Sequence, residues 1–276
     1  MPAQKMMTEK NIVNGKRVVD DQIKLEVHLT DHCNLNCKGC DHFSPIAHET
    51  YLDIEKYKSD LDRINIIVGD NIEHLFLLGG EPLLNKNICE IIEISRLKLK
   101  NCPIYILTNG ILLKNMSDKF WEVCRKCDII ISITQYPINV DYGYILQKAK
   151  EKSVKAQLFK DPSGEKKLYH FKLDLTGNQD NNYNYLHCWR PKYLVLKEGR
   201  IYPCIIPAYI NHFNREFEYN IPVCDEDSVN IYEINTYEDL KEKLSMSIEF
   251  CRYCNIYGET TNLPFELSKR NEQEWL

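Results

Sequence analysis

Several features that would place this chain in a common class are absent. No run of apolar residues approaches the length of a membrane-spanning helix, and residues 1–10 lack the apolar core of a secretory signal. The 276 residues carry a net charge of −5 with scattered lysines, so no basic excess would attract nucleic acid. No internal repeat or low-complexity tract is present. With 43% hydrophobic and 27% charged residues, we expect a folded cytoplasmic protein without a nucleic-acid or membrane partner.

Cysteine, in contrast, is abundant, with twelve residues. A reducing cytoplasm does not support a disulfide framework, so this number indicates metal or redox chemistry. Cys33, Cys37 and Cys40 follow the spacing C-x3-C-x2-C. Three thiolates this close can hold one iron–sulfur cube, whose fourth iron stays open to a substrate or cofactor. The spacing alone also allows buried core cysteines or a zinc site, for which His32 or His42 could supply a fourth ligand.

Strands and helices alternate along the chain up to about residue 160. A first strand is predicted at Ile23–Thr30, and it runs directly into the cysteine loop. Further strands are predicted at residues 73–78, 103–107, 128–134 and 155–159, and helices at residues 54–67 (with Asp53 as N-cap), 86–98, 117–127 and 141–151. This alternation indicates βαβ units and an α/β fold with a parallel sheet.

The loops after these strands are polar or rich in glycine. They are the cysteine loop, Gly79-Gly80-Glu81-Pro82, Thr108-Asn109-Gly110 and the stretch from Ser132 to Pro137. The carboxyl ends of parallel strands meet at one edge of a sheet, where such folds place their functional groups. We therefore expect all four loops on one rim, although Thr108-Asn109-Gly110 also fits an ordinary turn.

The pattern changes after residue 160. Residues 161–164 predict a turn, residues 177–182 predict a polar loop, and Leu168 to Leu175 is the candidate for a sixth strand. We therefore divide the chain into a core domain, residues 1–180, and a smaller domain, residues 181–276. Within the smaller domain, residues 193–203 predict a hairpin around Gly199, and residues 236–247 predict a helix opened by Thr236.

The C-x3-C-x2-C loop, the Gly-Gly-Glu-Pro segment after the next strand and the order of elements resemble the radical S-adenosylmethionine (radical SAM) superfamily. The resemblance covers roughly residues 20–175. It implies a partial (β/α)6 TIM barrel, followed by a small C-terminal α+β domain for an auxiliary iron–sulfur cluster. It also implies that the chain is an enzyme, a radical SAM oxidoreductase.

The resemblance implies two cofactors at the first cysteine set. Cys33, Cys37 and Cys40 would hold a 4Fe–4S cluster, whose open iron binds the amino and carboxylate groups of S-adenosylmethionine. One electron, supplied by an external donor such as flavodoxin or ferredoxin, would cleave the sulfonium. The resulting 5′-deoxyadenosyl radical would abstract hydrogen from the substrate, while the protein orients the reactants and excludes water.

Further S-adenosylmethionine contacts follow from the same resemblance. Glu81 would accept charge-assisted hydrogen bonds from the methionine ammonium, and Gly79 and Gly80 would let the backbone approach closely. Residues that resemble the ribose and carboxylate contacts of the family are Thr108, Asn109, Ser132 and Gln135. The family often has an aromatic residue before the third cysteine, where this chain has Gly39, so Phe43 is the proposed substitute beside adenine.

A second set of cysteines resembles the auxiliary-cluster extension of the superfamily. The set comprises Cys188, Cys204, Cys251 and Cys254. Four cysteines match the shortened "twitch" form of the SPASM extension, which holds one extra 4Fe–4S cluster, and a four-cysteine zinc site is the alternative. The remaining cysteines are read as core thiols or a spare: Cys89, Cys102, Cys124, Cys127 and Cys224.

An extra cluster suits substrate oxidation, because a substrate radical must pass on an electron. The first hypothesis is therefore dehydrogenation of a small polar substrate, such as a sugar or cyclitol, as in radical dehydrogenases that the extension resembles. The alternative is epimerisation or crosslinking of a ribosomally made peptide. The segment before Ile23 is shorter than the leader-binding domain that many such enzymes carry, although a separate protein could supply that function. A third hypothesis is a non-catalytic iron–sulfur protein, against which the intact Cys33, Cys37, Cys40 and Glu81 argue.

Overall fold

The computed structural model describes residues 12–159, 167–168, 172–256 and 263–276. The strands of the first part are β1 Ile12–Val13, β2 Lys16–Arg17, β3 Ile23–Thr30, β4 Ile72–Gly79, β5 Ile104–Thr108, β6 Ile129–Thr134 and β7 Lys155–Phe159. Its helices are α1 Ile54–Val68, α2 Ile88–Lys98, α3 Asp118–Lys126 and α4 Tyr142–Glu151. The predicted alternation is confirmed, whereas the turn predicted at residues 161–164 lies outside the described residues.

Shorter elements make up the rest of the described chain. Its strands are β8 Lys167–Leu168, β9 Lys172–Leu173, β10 Tyr193–Lys197, β11 Arg200–Tyr202, β12 Val229–Asn230, β13 Cys254–Asn255 and β14 Leu263–Pro264. Its helices are α5 Asn181–His187, α6 Ile205–Phe217 and α7 Tyr237–Ser245. Within the described ranges, no helix has the length and apolar character needed to cross a membrane.

Local sequence explains where several helices begin. Asp53, Ser117 and Asp141 are N-caps whose side-chain oxygens accept backbone N–H groups of α1, α3 and α4. Thr236 and Asp239 form the capping box at the start of α7. The helix α1, with the predicted cap Asp53, and the helix α7 are therefore confirmed.

One eight-stranded sheet organises the molecule, in the order β12–β11–β10–β3–β4–β5–β6–β7. The six strands from β10 to β7 are parallel, and β11 and β12 extend the edge in antiparallel fashion. Six parallel strands with helical crossovers make this an α/β fold consistent with a partial (β/α)6 barrel.

The sixth parallel strand is β10, so the prediction of Leu168 to Leu175 was wrong. The short strands β8 and β9 in that stretch pair with β14 and β13 instead of joining the large sheet. Strand β10 has a buried apolar centre, Leu194 to Leu196, which suits a parallel strand covered on both faces. The predicted hairpin itself is confirmed, because β10 pairs with β11 across Gly199.

The two faces of the sheet contribute to two hydrophobic cores. On β3, Leu25, Val27 and Leu29 point outward and pack with α1 and α2 in the first core. On β10, Val195 points inward to the second core, which contains much of α6 together with Phe43 and Trp275. Helix α6 and helix α5 were not predicted, since α5 is short and α6 carries a proline in its first turn, where proline is tolerated.

Candidate active site

The loops after β3, β4 and β5 are joined at the carboxyl edge of the sheet. The Gly80 N–H donates to the Thr30 carbonyl at 2.8 Å, and the Glu81 N–H donates to the His32 carbonyl at 3.1 Å. The Asn109 side chain donates to Asn34 Oδ1 at 2.8 Å. Three of the four predicted loops therefore meet on one rim.

The two glycines of this rim lie against the chain that leads into the cysteine loop. A Cβ atom on Gly80 would lie 2.1 Å from the His32 carbonyl oxygen. A Cβ atom on Gly79 would lie 2.2 Å from the Thr30 carbonyl oxygen, and Gly79 also has a φ of +138°. Only glycine permits this approach of two backbones.

Glu81 is fully buried under the rim and accepts three hydrogen bonds. Its donors are the Thr108 hydroxyl at 2.6 Å, the Asn109 N–H at 3.0 Å and the Leu83 N–H at 3.2 Å. Burial raises the pKa of the Glu81 carboxyl to about 7, against the opposing effect of these hydrogen bonds. A bound ammonium group would favour the charged form of this carboxyl.

The three thiols of the cysteine loop lie close enough together to influence one another. Burial raises the pKa of the Cys37 thiol, and the Cys40 and Cys33 thiols raise it further. Burial also raises the pKa of the Cys33 thiol to about 12. Asn109 Nδ2 lies 3.8 Å from Cys33 Sγ, so the thiols adjoin the Glu81 group. Three soft sulfur donors beside a polar group fit a 4Fe–4S cluster that leaves one iron for an exchangeable ligand.

The flanking histidines are engaged elsewhere. His32 Nδ1 lies 2.6 Å from the Thr30 hydroxyl, and His42 Nδ1 lies 2.8 Å from His28 Nε2. Within the described parts of the chain, no three side chains of His, Cys, Asp or Glu are spaced to hold a single metal ion. Each of these histidines therefore has its Nδ1 atom in a hydrogen bond within the protein.

The other predicted contacts differ in their positions. Ser132 is buried on β6, and Gln135 is half-buried just beyond it, on the rim but outside the hydrogen-bonded group around Glu81. Phe43 is 1% exposed, and its ring packs against Trp275 at a centroid distance of 6.0 Å. No face of the Phe43 ring is left for adenine, so the structure does not support Phe43 as the aromatic residue beside adenine.

Tyr136 is an aromatic residue that the sequence reasoning missed. Burial raises the pKa of its phenol well above the usual value, and the Cys37, Cys40 and Cys33 thiols raise it further. The phenol therefore lies near the thiols of the first cysteine set. The sequence feature that could have identified Tyr136 is its position in the stretch from Ser132 to Pro137, which was expected on this edge of the sheet.

Residues 263–276 lie along the cysteine loop and support it. The Lys38 N–H donates to the Glu266 carbonyl at 2.9 Å, and the Ser268 N–H donates to the Asn36 carbonyl at 2.9 Å. The Trp275 indole N–H donates to the Cys40 carbonyl at 2.9 Å. These contacts hold the backbone of the loop in place from a distant part of the chain.

The second set of cysteines lines one apolar pocket. The pocket includes Cys188, Cys204, Cys251 and Cys254. Burial raises the pKa of the Cys204 thiol to about 12, and the Cys188 thiol adds to this effect. Cys224 is exposed and lies outside this pocket, whereas Cys102, Cys124 and Cys127 are buried in the first core. Four thiols in apolar surroundings fit a fully ligated iron–sulfur cluster.

A buried ion pair connects the two cysteine sets. Asp41 directly follows Cys40, and Arg190 lies two residues after Cys188. The Arg190 guanidinium donates to Asp41 Oδ2, and the two side chains are only 12% and 7% exposed. Although burial lowers the pKa of Arg190, the neighbouring Asp41 and Glu26 raise it overall. The contact between these two side chains joins the two cysteine-bearing loops.

The core matches a known family. Residues 27–152 match the radical SAM superfamily. GTP 3′,8-cyclase from Synechocystis sp. is 40% identical over 102 residues, which is 36% of this chain and 30% of that protein. Probable GTP 3′,8-cyclase from Methanocaldococcus jannaschii is 36% identical over 100 residues, 34% of this chain and 31% of that protein. The chain thus spans about a third of the length of these curated relatives.

A solved structure extends the likeness of fold beyond the core. The crystal structure of BtrN in complex with AdoMet (S-adenosylmethionine) and 2-DOIA has a TM-score of 0.53 at 18% identity. The similarity covers 88% of this chain and 97% of that chain. The family match, together with the cysteine loop at the end of β3, shows that residues 27–152 form a radical SAM domain, and the likeness to BtrN shows a shared fold.

Proposed function

We propose that this radical SAM enzyme dehydrogenates a hydroxyl group of a small polar substrate, sugar-like or cyclitol-like. The observation that carries the proposal is the second set of four cysteines, which line one pocket and connect to the first set through Asp41 and Arg190. Removal of two hydrogens from an alcohol releases a second electron after the first hydrogen atom has been abstracted. A cluster on these four thiols would be available to accept that electron.

The residues of the rim would bind and orient S-adenosylmethionine. Cys33, Cys37 and Cys40 would hold a 4Fe–4S cluster, which would supply the electron for cleavage of the sulfonium. Glu81 would accept hydrogen bonds from the methionine ammonium, and the Thr108 hydroxyl and Asn109 N–H keep its carboxylate in position. Ser132 and Gln135 remain proposed contacts on the same rim.

Glu81→Gln should weaken S-adenosylmethionine binding by roughly tenfold to a hundredfold, because a hydrogen bond to a charged group contributes about 1.5–3 kcal/mol. In the wild type the Asn109 N–H donates to a carboxylate oxygen of Glu81, and in the variant it would face the glutamine amide group. Titration of the anaerobically reconstituted protein, followed by electron paramagnetic resonance of the reduced cluster, measures the affinity. Glu242→Gln, an exposed site on α7, is the matched control. Equal affinities in the two variants would exclude this role for Glu81.

The double variant Cys251→Ala/Cys254→Ala should lose one of two clusters. We expect about eight irons in the reconstituted wild type and about four in the variant, which should still cleave S-adenosylmethionine. Iron and sulfide analysis measures the content, and Cys224→Ala, an exposed cysteine outside the pocket, is the control. A wild type with only about four irons would refute the second cluster and, with it, the proposed electron acceptor.

Substrate assays test the reaction itself. The reduced enzyme is incubated anaerobically with 2-DOIA, myo-inositol, D-glucosamine, GTP and candidate peptides, while deoxyadenosine and substrate masses are followed. A sugar or cyclitol product that lacks two hydrogens supports the proposal and excludes the peptide alternative. A GTP-derived product would instead favour the reaction named in the curated relatives, which match about a third of this chain.

A further inference from the structure

Glu26 occupies the inner face of the sheet, in a row of side chains that crosses several strands. The parallel register pairs Glu26 with Val195 on β10 and with Phe76 on β4, and it pairs Phe76 with Tyr105 on β5. Residues in register on neighbouring strands point to the same face. Glu26 is therefore next to Phe76 in the row, and the Tyr105 ring follows on the next strand at a centroid distance of 5.4 Å from the Phe76 ring.

This row combines half-buried aromatic residues with an unsatisfied acceptor. Phe76 and Tyr105 are half-buried, so part of each residue remains exposed. Glu26 is 7% exposed, and among the described residues its Oε2 atom has no hydrogen-bond partner. Buried acceptors are normally satisfied, so a buried carboxylate oxygen without a donor from the protein is available to a donor group of a ligand.

The charges around Glu26 come from both cysteine-bearing loops. Burial raises the pKa of the Glu26 carboxyl to about 7, while Arg190 lowers it and Asp41 raises it. Other ionisable side chains that face it from the surrounding elements are Lys24, His28, His74, Tyr193, Lys197 and Tyr209. A carboxyl that titrates near neutral pH is suited to accept a proton during catalysis.

We propose that Glu26 binds the substrate hydroxyl that is oxidised and accepts its proton, while the C–H face of the substrate ring packs on Phe76 and Tyr105. The proposal rests on the dehydrogenation proposed above and assigns its proton acceptor. The ligand class is a hydroxylated ring with one apolar C–H face, which packs against aromatic carbon.

The step balances in protons and electrons. The deoxyadenosyl radical takes a hydrogen atom from the carbinol carbon and becomes deoxyadenosine. The hydroxyl O–H bond then breaks, its proton moves to the Glu26 carboxylate, and one electron passes to an iron–sulfur cluster on the second cysteine set as the carbonyl bond forms.

Glu26→Gln tests the assignment with a substrate that the wild type oxidises among 2-DOIA, myo-inositol and D-glucosamine. We expect deoxyadenosine formation within about twofold of wild type and a loss of about a hundredfold in the oxidised product, the usual scale for a general base. Glu26→Asp should recover part of the product. Glu90→Gln, an exposed glutamate on α2, is the control and should match wild type. Unchanged product in Glu26→Gln, or equal loss of deoxyadenosine, would overturn the proposal.

A second readout uses no substrate. Because the folded state raises the pKa of Glu26 to about 7, wild-type stability should fall as pH rises through that value. Thermal unfolding of the reconstituted protein between pH 5 and pH 8 should show a smaller fall in Glu26→Gln. If the stability of the wild type and of Glu26→Gln fell equally with pH, that result would contradict a buried, unsatisfied Glu26. A further outcome is that the wild type oxidises none of the three probes even though the two pH slopes differ. That result would refute the proposed dehydrogenation and the role of Glu26 as its proton acceptor. It would leave intact the finding that Glu26 is a buried acid with a raised pKa.

Discussion

Cys37→Ala is expected to abolish S-adenosylmethionine cleavage. Cys37 is buried within the cysteine loop, where burial and the thiols of Cys40 and Cys33 raise its pKa. The other two thiols would hold a cluster only weakly, because every iron apart from the open one needs a protein sulfur. Deoxyadenosine in the anaerobic reaction with dithionite should fall to the level without enzyme, and the iron content should drop by about four.

A matched cysteine separates this effect from a general loss of stability. Cys124 is fully buried in the first core, away from both cysteine sets. Cys124→Ala removes one buried sulfur and should keep wild-type iron content and cleavage. Wild-type cleavage by reconstituted Cys37→Ala would contradict the assignment of the first cysteine set, and equal loss in Cys124→Ala would make the effect structural.

Gly80→Ala should have the second-largest effect, because the added Cβ would meet backbone atoms that cannot yield. It would lie 2.1 Å from the carbonyl oxygen and 2.3 Å from the carbonyl carbon of His32. To remove this clash, the end of β4 must move away from β3, the strand that leads into the cysteine loop. We expect a loss of at least about 3 kcal/mol in the free energy of unfolding, at the upper end for an overpacked site. Urea denaturation monitored by circular dichroism measures this loss.

Gly143→Ala is the control for this substitution. Gly143 lies in the first turn of α4, and the nearest atom to its added Cβ is Asp141 Oδ1 at 3.4 Å. Alanine is the better helix former, so this variant should be as stable as wild type or more stable by up to about 1 kcal/mol. Equal stability of Gly80→Ala and wild type would show that the two backbones do not approach as closely as described.

The arrangement of the rim could be predicted because it depends on residues that are close together in the chain. The alternation of strands and helices identified β3 to β7, and the carboxyl ends of parallel strands lie on one edge of a sheet whatever the details of packing. The cysteine loop and the pair Gly79-Gly80 therefore lie together on that edge, as expected. The hydrogen bonds from Thr108 and Asn109 to Glu81 likewise follow from the ends of adjacent strands.

Predictions that depended on packing between distant segments were less successful. The stretch from Leu168 to Leu175 has strand character, but it pairs with residues near 254 and 263 rather than with the large sheet. Phe43 stands close to the cysteines in sequence, yet Trp275 covers its ring. Short patterns carry no information on which distant segment supplies a partner, so neither outcome could be read from the sequence.

The sequence by itself determined the setting of the first cysteine set: three cysteines at a strand end, near two glycines and a glutamate, within an α/β core. Spacing and periodicity specify these features because each depends on residues close together in the chain. The tertiary structure alone decided the origin of the sixth strand, the approach of Asp41 to Arg190 and the position of Glu26 in its aromatic row. The first two depend on contacts between segments more than a hundred residues apart, and the third depends on the register between neighbouring strands; packing and register select these features, and local pattern does not.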